Sequence, residues 1–159
     1  MLSSQNKTYL YIIFFFSVLS LCVAYFIQYI LKHQPCNLCL IERIPYFVAS
    51  IILPLMFFVK KHEKIYLVFI TLFFLGGAFI SLYHVGIEQG IFKESFVCSL
   101  NKDLKDLTPE KLLKNLELRN VSCKEVTFKF LGLSLATFNT IISFIISAIL
   151  IRIIKYEKN

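Results

Sequence analysis

The sequence predicts an all-α membrane protein, a bundle of four transmembrane helices with cysteine-bearing loops on one face. Apolar residues make up 57% of the 159-residue chain, more than a soluble domain of this length usually carries. A helix needs about 20 apolar residues to cross the hydrocarbon of a bilayer. We therefore expect residues 1–159 to form one four-span domain. Uncharged apolar runs occupy residues 9–31, 44–59, 65–86 and 130–151.

Each run has features that bear on whether it spans. The first has 23 residues, more than the apolar region of about 7 to 15 residues in a secretory signal, and it has no small-x-small cleavage site. We expect it to remain as an anchor. The second has 16 residues with Pro45 and Pro54, so it spans only by borrowing flanking residues. The third contains the adjacent Gly76 and Gly77, which let helices approach closely.

An even number of spans places both termini on one face and loops 32–43 and 87–129 on the other. Basic residues near span ends favour the cytoplasmic side, and the terminal face carries seven, against two in the first loop. The second loop reduces this contrast, because its eight Lys or Arg residues accompany seven Asp or Glu residues. The charge pattern favours cytoplasmic termini. The terminal-face residues are Lys7, Lys60, Lys61, Lys64, Arg152, Lys155 and Lys158.

The net charge of +7 does not indicate a nucleic-acid partner. The basic residues flank the spans or lie in a loop of nearly balanced charge, and no aromatic-interleaved basic patch is present. We expect the lipid bilayer to be the surrounding partner, with no nucleic acid.

Five cysteines divide by position. Cys22 lies within the first run, about 20 Å along a helix from the first loop, and we expect it to be a small apolar residue with no role. Cys36 and Cys39 form a C-x-x-C pair in the first loop, and Cys98 and Cys123 lie in the second. All four fall on one face, and disulfides persist there if that face is oxidising.

The C-x-x-C pair indicates redox chemistry. A bridge between Cys36 and Cys39 closes a very short loop and stabilises little, so such pairs are more often redox-active or metal-binding. Zinc usually requires a second closely spaced pair, which Cys98 and Cys123 do not provide. We expect no metal.

Two further residues are candidates for the same site. Arg43 lies four residues after Cys39 and would favour its thiolate within a continuous helix; if the helix begins at Ile44, Arg43 instead lies in the loop, and it could also anchor the span end at the headgroups. A dithiol at the membrane surface suggests a lipid-soluble quinone as electron acceptor, with Arg43 holding a carbonyl oxygen. His84 is a candidate for proton transfer or quinone hydrogen bonding, or is a surface histidine.

Three segments resemble the bacterial disulfide bond formation protein B (DsbB) family: "PCNLCLIER", "LYHVGIEQG" and "CKEVTFKFLGLSLATFN". The resemblance implies a four-helix bundle of the bacterial inner membrane, with cytoplasmic termini and periplasmic cysteine loops. It implies a thiol:quinone oxidoreductase that re-oxidises a DsbA-like thioredoxin-fold partner and passes the electrons to ubiquinone or menaquinone.

The resemblance also implies a role for each site residue. Cys98 would be attacked by the partner's thiolate, releasing Cys123, which would form a transient bridge with Cys36. Cys39 would then be the thiolate that meets the quinone, with Arg43 and His84 binding this cofactor.

Two other functions remain open from the sequence. One is a redox protein resembling the vitamin K epoxide reductase family, although the order of motifs and the phrase "FKFLGLS" argue against it. The other is a non-catalytic four-span scaffold or carrier whose cysteines form structural disulfides.

Overall fold

The computed structural model describes residues 4–58, 62–93, 98, 122–124, 129–130 and 132–156. Most of the predicted loop 87–129 lies outside this part. The described chain forms five helices and one short antiparallel hairpin. Their bounds are α1 Ser4–Tyr29, α2 Asn37–Ile41, α3 Ile44–Phe58, α4 Glu63–Glu88, β1 Lys129–Phe130, β2 Leu133–Ser134 and α5 Leu135–Tyr156.

Four helical segments are long and apolar enough to cross a membrane, which confirms the predicted bundle of four spans. The second segment runs over α2 and α3 together, Asn37–Phe58, and has 22 residues. The apolar run 44–59 therefore gains its length from the turn of helix that carries the C-x-x-C pair. The other three segments coincide with α1, α4 and α5.

The bundle buries a continuous apolar core while leaving large apolar side chains on its outer surface. Phe15 is 68% exposed and Phe58 is 86% exposed. An apolar surface of this extent is expected where lipid replaces water. Helix α4 packs most extensively on α5, and α3 packs on both α1 and α4. The central side chains are Leu10, Ile13, Leu53, Met56, Leu67, Ile70, Phe74, Ile146 and Leu150.

Helices α3 and α4 meet at a glycine. A Cβ atom placed on Gly77 would lie 2.7 Å from Cγ of Pro45, whereas one on the neighbouring Gly76 would meet nothing within 4 Å. Pro45 is the second residue of α3, where its missing N–H removes no intrahelical bond. The predicted close approach of helices is therefore confirmed at Gly77.

Gly77→Ala is expected to be less stable than Gly76→Ala by about 1–3 kcal/mol, the usual cost of overpacking. Both substitutions add the same methyl group and the same helix propensity, so the comparison isolates the contact with Pro45. Thermal unfolding in detergent micelles measures the difference. Equal unfolding temperatures for the two variants would contradict this contact between α3 and α4.

Candidate redox site at the cysteine end of the bundle

The four loop cysteines meet in one buried cluster. Cys98 and Cys123 form a disulfide with their Cα atoms 5.8 Å apart, and both pack with Cys36 in an apolar cluster that Cys39 adjoins. The two sequence-distant pairs therefore belong to one packed cluster. Cys22 lies apart from them, exposed within α1.

The C-x-x-C pair is organised by the first turn of α2. Cys36 is the N-cap residue, and its sulfur accepts a hydrogen bond from the backbone N–H of Cys39. The two Sγ atoms lie 2.9 Å apart as free thiols. This distance lets a disulfide form or break with a small side-chain movement.

The two thiols differ in environment, since Cys36 is buried and Cys39 is partly exposed. The hydrogen bond with Cys39 and the contact with His84 lower the pKa of the Cys36 thiol to about 4, against the opposing effect of burial. Cys36 is therefore the sulfur that this site prepares as a thiolate.

The Cys36 thiolate is expected to persist at mildly acidic pH and to be lost only as the pH falls through about 4, because its folded-state pKa lies below that of an ordinary thiol. The test is ultraviolet thiolate absorbance, titrated on reduced protein that retains only Cys36 and Cys39. The same protein unfolded in denaturant is the control and should titrate near pH 8.5. Coincident folded and unfolded curves would contradict a prepared thiolate.

His84 joins the dithiol to an acidic side chain. It lies near the end of α4 and is 2% exposed, so it is not a surface histidine. Its Nε2 lies 3.5 Å from Cys36 Sγ, and its Nδ1 lies 2.7 Å from Glu42 Oε1. The structure therefore places His84 beside Cys36, with Glu42 behind it.

Arg43 faces the opposite side of the dithiol, towards α1. It occupies the turn between α2 and α3, so it does not extend the Cys39 helix. Its Nη1 donates to Gln28 Oε1 over 2.6 Å, and its guanidinium lies 5.3 Å from the centre of the Tyr25 ring. Arg43 and His84 are thus on separate sides of the C-x-x-C turn in the described contacts.

A cleft of about 450 Å³ lies beside Arg43. Its volume falls in the range of small-ligand sites, and its walls combine apolar and aromatic side chains with a single cation. This composition suits a planar apolar ring that carries carbonyl oxygens. The lining residues are Leu21, Tyr25, Gln28, Tyr29, Leu40, Arg43, Ile44 and Phe47.

Two residues of the site, Glu42 and Asn139, were not among the predicted site residues. Glu42 is 7% exposed, and its second carboxylate oxygen accepts a hydrogen bond from Asn139 Nδ2 at 3.1 Å. A polar residue inside an apolar span is a functional signal, and Asn139 within the run 130–151 was such a signal. Glu42 gives no such signal, because it lies outside the apolar runs and next to Arg43.

The donor set at the dithiol also bears on metal binding. One ligand atom each from Cys36, Cys39 and His84 lies within 4.8 Å of the others. These atoms are already engaged with one another, and the buried Glu42 completes an acid–base pair with the imidazole. We assign them to sulfur chemistry, and the absence of a metal stays a prediction.

Comparison with known proteins decides the family. Residues 6–153 match the family described as disulfide bond formation protein DsbB. The chain belongs to the DsbB family. This match includes all four clustered cysteines and nearly all of the four spans, so the family resemblance predicted from the three motifs is confirmed. Membership in the DsbB family indicates a multi-pass membrane oxidoreductase that forms disulfide bonds.

A curated relative extends the comparison. The chain is 28% identical over 145 residues to the uncharacterized protein RP370 of Rickettsia prowazekii (strain Madrid E), covering 90% of this chain and 84% of the relative. The similarity therefore extends over nearly the whole length of both proteins.

Proposed function

We propose that this protein oxidises a soluble DsbA-like dithiol protein of thioredoxin fold and passes the electrons to a quinone in the membrane. The observation that carries the proposal is the single cluster that joins the Cys98–Cys123 disulfide to the C-x-x-C pair. A structural staple at Cys98 and Cys123 would not need a second, unbonded dithiol beside it. The match to the DsbB family favours this function over a vitamin K epoxide reductase-like protein or a scaffold.

Thiol–disulfide exchange accounts for the transfer between pairs. A thiolate of the reduced partner attacks Cys98, forming a mixed disulfide and releasing the Cys123 thiolate. Cys123 then attacks Cys36 of the oxidised C-x-x-C pair, forming a Cys36–Cys123 disulfide and releasing the Cys39 thiolate. The partner's second thiolate displaces Cys98 and leaves as the oxidised partner, and the Cys98 thiolate attacks Cys123, which restores the Cys98–Cys123 disulfide and releases the Cys36 thiolate. Each exchange breaks one S–S bond and makes one, so it moves two electrons without an added oxidant.

The return of the C-x-x-C pair to the disulfide releases two electrons and two protons. A quinone supplies the chemistry that accepts both. The residues of the cleft beside Arg43 would hold such a ring, and the Arg43 guanidinium, positioned by Gln28 and Tyr25, would supply a hydrogen-bond donor to it. The lining of the cleft favours neither ubiquinone nor menaquinone. His84, on the other side of the turn, is suited to hold a proton released from Cys36.

We place the cysteine end on the periplasmic side of the bacterial inner membrane, with both termini cytoplasmic. An oxidising compartment is where a Cys98–Cys123 disulfide persists, and the basic residues near the terminal ends of the spans favour the cytoplasm. Cysteines introduced singly at Lys155 and Lys124, in a chain whose free cysteines Cys22, Cys36 and Cys39 are replaced by Ser, test this orientation. A membrane-impermeant thiol reagent added to intact cells should label only the variant with cysteine at position 124.

Quinone reduction by the purified protein, driven by a reduced thioredoxin-fold oxidase, tests the proposed relay. Turnover is expected in the wild type and in Cys22→Ser, because Cys22 lies outside the cluster. Cys98→Ser should not turn over, since the partner has no disulfide to attack. Equal and negligible rates for wild type and Cys98→Ser, with quinone present in excess, would overturn the relay.

A further inference from the structure

A chain of hydrogen bonds connects the interior of the bundle to the dithiol. Tyr46 Oη on α3 donates to Asn139 Oδ1 on α5 over 2.6 Å. Asn139 Nδ2 donates to Glu42 Oε2, and Glu42 Oε1 meets His84 Nδ1 on α4. His84 Nε2 faces Cys36 Sγ at 3.5 Å. Side chains from α3, α5 and α4 thus converge on one carboxylate and one imidazole.

The orientation of the Asn139 amide follows from its neighbours. The Ser81 hydroxyl donates its proton to the carbonyl oxygen of Ala136 over 2.8 Å, so Ser81 Oγ accepts from Asn139, 3.3 Å away. The group facing Ser81 and Glu42 must therefore be the amide NH₂. The amide oxygen then faces Tyr46 and accepts its phenolic proton.

This orientation also assigns the His84 tautomer. An ionised carboxylate only accepts hydrogen bonds, so Glu42, which already accepts from Asn139, requires a proton on His84 Nδ1. In the neutral imidazole Nε2 is then the unprotonated nitrogen, and it is the one that faces Cys36. The network thus presents its base to the Cys36 thiol.

We propose that Glu42 and Asn139 are positioning residues that hold His84 as the base for the Cys36 thiol, with Tyr46 fixing the amide. The proton moves from Cys36 Sγ to His84 Nε2, and no electrons move in this step. The resulting imidazolium donates from Nδ1 to Glu42 and from Nε2 to the thiolate, so both charges remain paired in a buried site. The inference deepens the proposed function and rests on it for the redox role of Cys36.

One other acid is close enough to compete for this role. Glu88 Oε1 lies 3.8 Å from His84 Nε2, beyond hydrogen-bond distance and on the nitrogen that faces the thiol. In the described contacts, the titratable side chains around Cys36 and His84 are Cys39, Glu42 and Glu88. Glu88 would favour a proton on Nε2, the nitrogen that faces the thiol, whereas Glu42 favours a proton on Nδ1. The two carboxylates are therefore separable by experiment.

The test uses the thiolate titration on reduced protein that retains only Cys36 and Cys39, with differential alkylation and mass spectrometry to identify the sulfur. Glu42→Gln is expected to raise the titration midpoint of Cys36 by at least about one pH unit, a tenfold loss of thiolate. Asn139→Leu and Tyr46→Phe should raise it by successively smaller amounts. Glu63→Gln, at the opposite end of α4, is the matched control and should leave it unchanged.

The outcomes separate a positioning role from a structural one. An unchanged midpoint in Glu42→Gln, in a variant whose thermal unfolding matches the parent, would overturn the proposal, and so would a larger shift in Glu88→Gln than in Glu42→Gln. If Asn139→Leu fails to fold, Tyr46→Phe still tests the hydrogen-bond network, because this substitution removes only a hydroxyl group. The titration needs neither quinone nor partner protein, so it can succeed where the relay fails, or the reverse.

Discussion

Cys39→Ser is expected to lower partner-driven quinone reduction by about a thousandfold or more, the scale of loss when an atom that makes and breaks bonds is removed. The structure supports this size of effect because Cys39 Sγ is the only thiol within bonding range of Cys36 among the described free cysteines. Without it, the Cys36–Cys39 disulfide cannot form, and electrons that reach Cys36 have no route onward.

Stopped-flow quinone absorbance measures this loss, with Cys22→Ser as the matched cysteine control. The variant should still oxidise one equivalent of partner at its Cys98–Cys123 disulfide, leaving Cys98 and Cys123 as thiols that alkylation and mass spectrometry detect. Retained turnover in Cys39→Ser would show that electrons leave from another sulfur and would remove Cys39 from the proposed mechanism.

Arg43→Met is expected to raise the KM for quinone by about 10- to 100-fold, the equivalent of losing one hydrogen bond to a charged group, with a smaller change in kcat. Arg43→Lys should recover only part of the affinity, because an ammonium group does not reproduce the planar fork held between Gln28 and Tyr25. Steady-state kinetics over a range of quinone concentrations separates the two parameters.

The chain contains its own control for this prediction. Arg152 lies over the ring of Tyr156 at 5.4 Å, nearly the same arrangement as Arg43 over Tyr25, but at the other end of the bundle. Arg152→Met therefore removes an equivalent contact with the same change in charge, and the KM for quinone should not move. A KM that rises equally in both variants would assign the effect to membrane charge and not to the cleft.

Hydropathy and cysteine spacing were enough to predict the four spans and the two cysteine pairs, because both patterns depend on position along the chain. The network around His84 was not predictable in this way. Whether Asn139 of α5 faces Glu42 depends on the rotation of α5 against α4, which packing sets and local sequence does not. The same limit applied to Arg43, whose contacts with α1 depend on the break between α2 and α3.

The buried hydroxyls make the two ends of the bundle unequal. Three buried hydroxyls each donate to a carbonyl oxygen four residues earlier in their own helix, so this hydrogen bond does not depend on a neighbouring helix. They belong to Ser17, Thr71 and Ser147. Within the described chain, side-chain hydrogen bonds between helices gather at the cysteine end. Evolutionary drift should therefore be unevenly distributed: apolar residues at the terminal end can be exchanged for others of similar volume, while residues at the cysteine end can change only together with their partners.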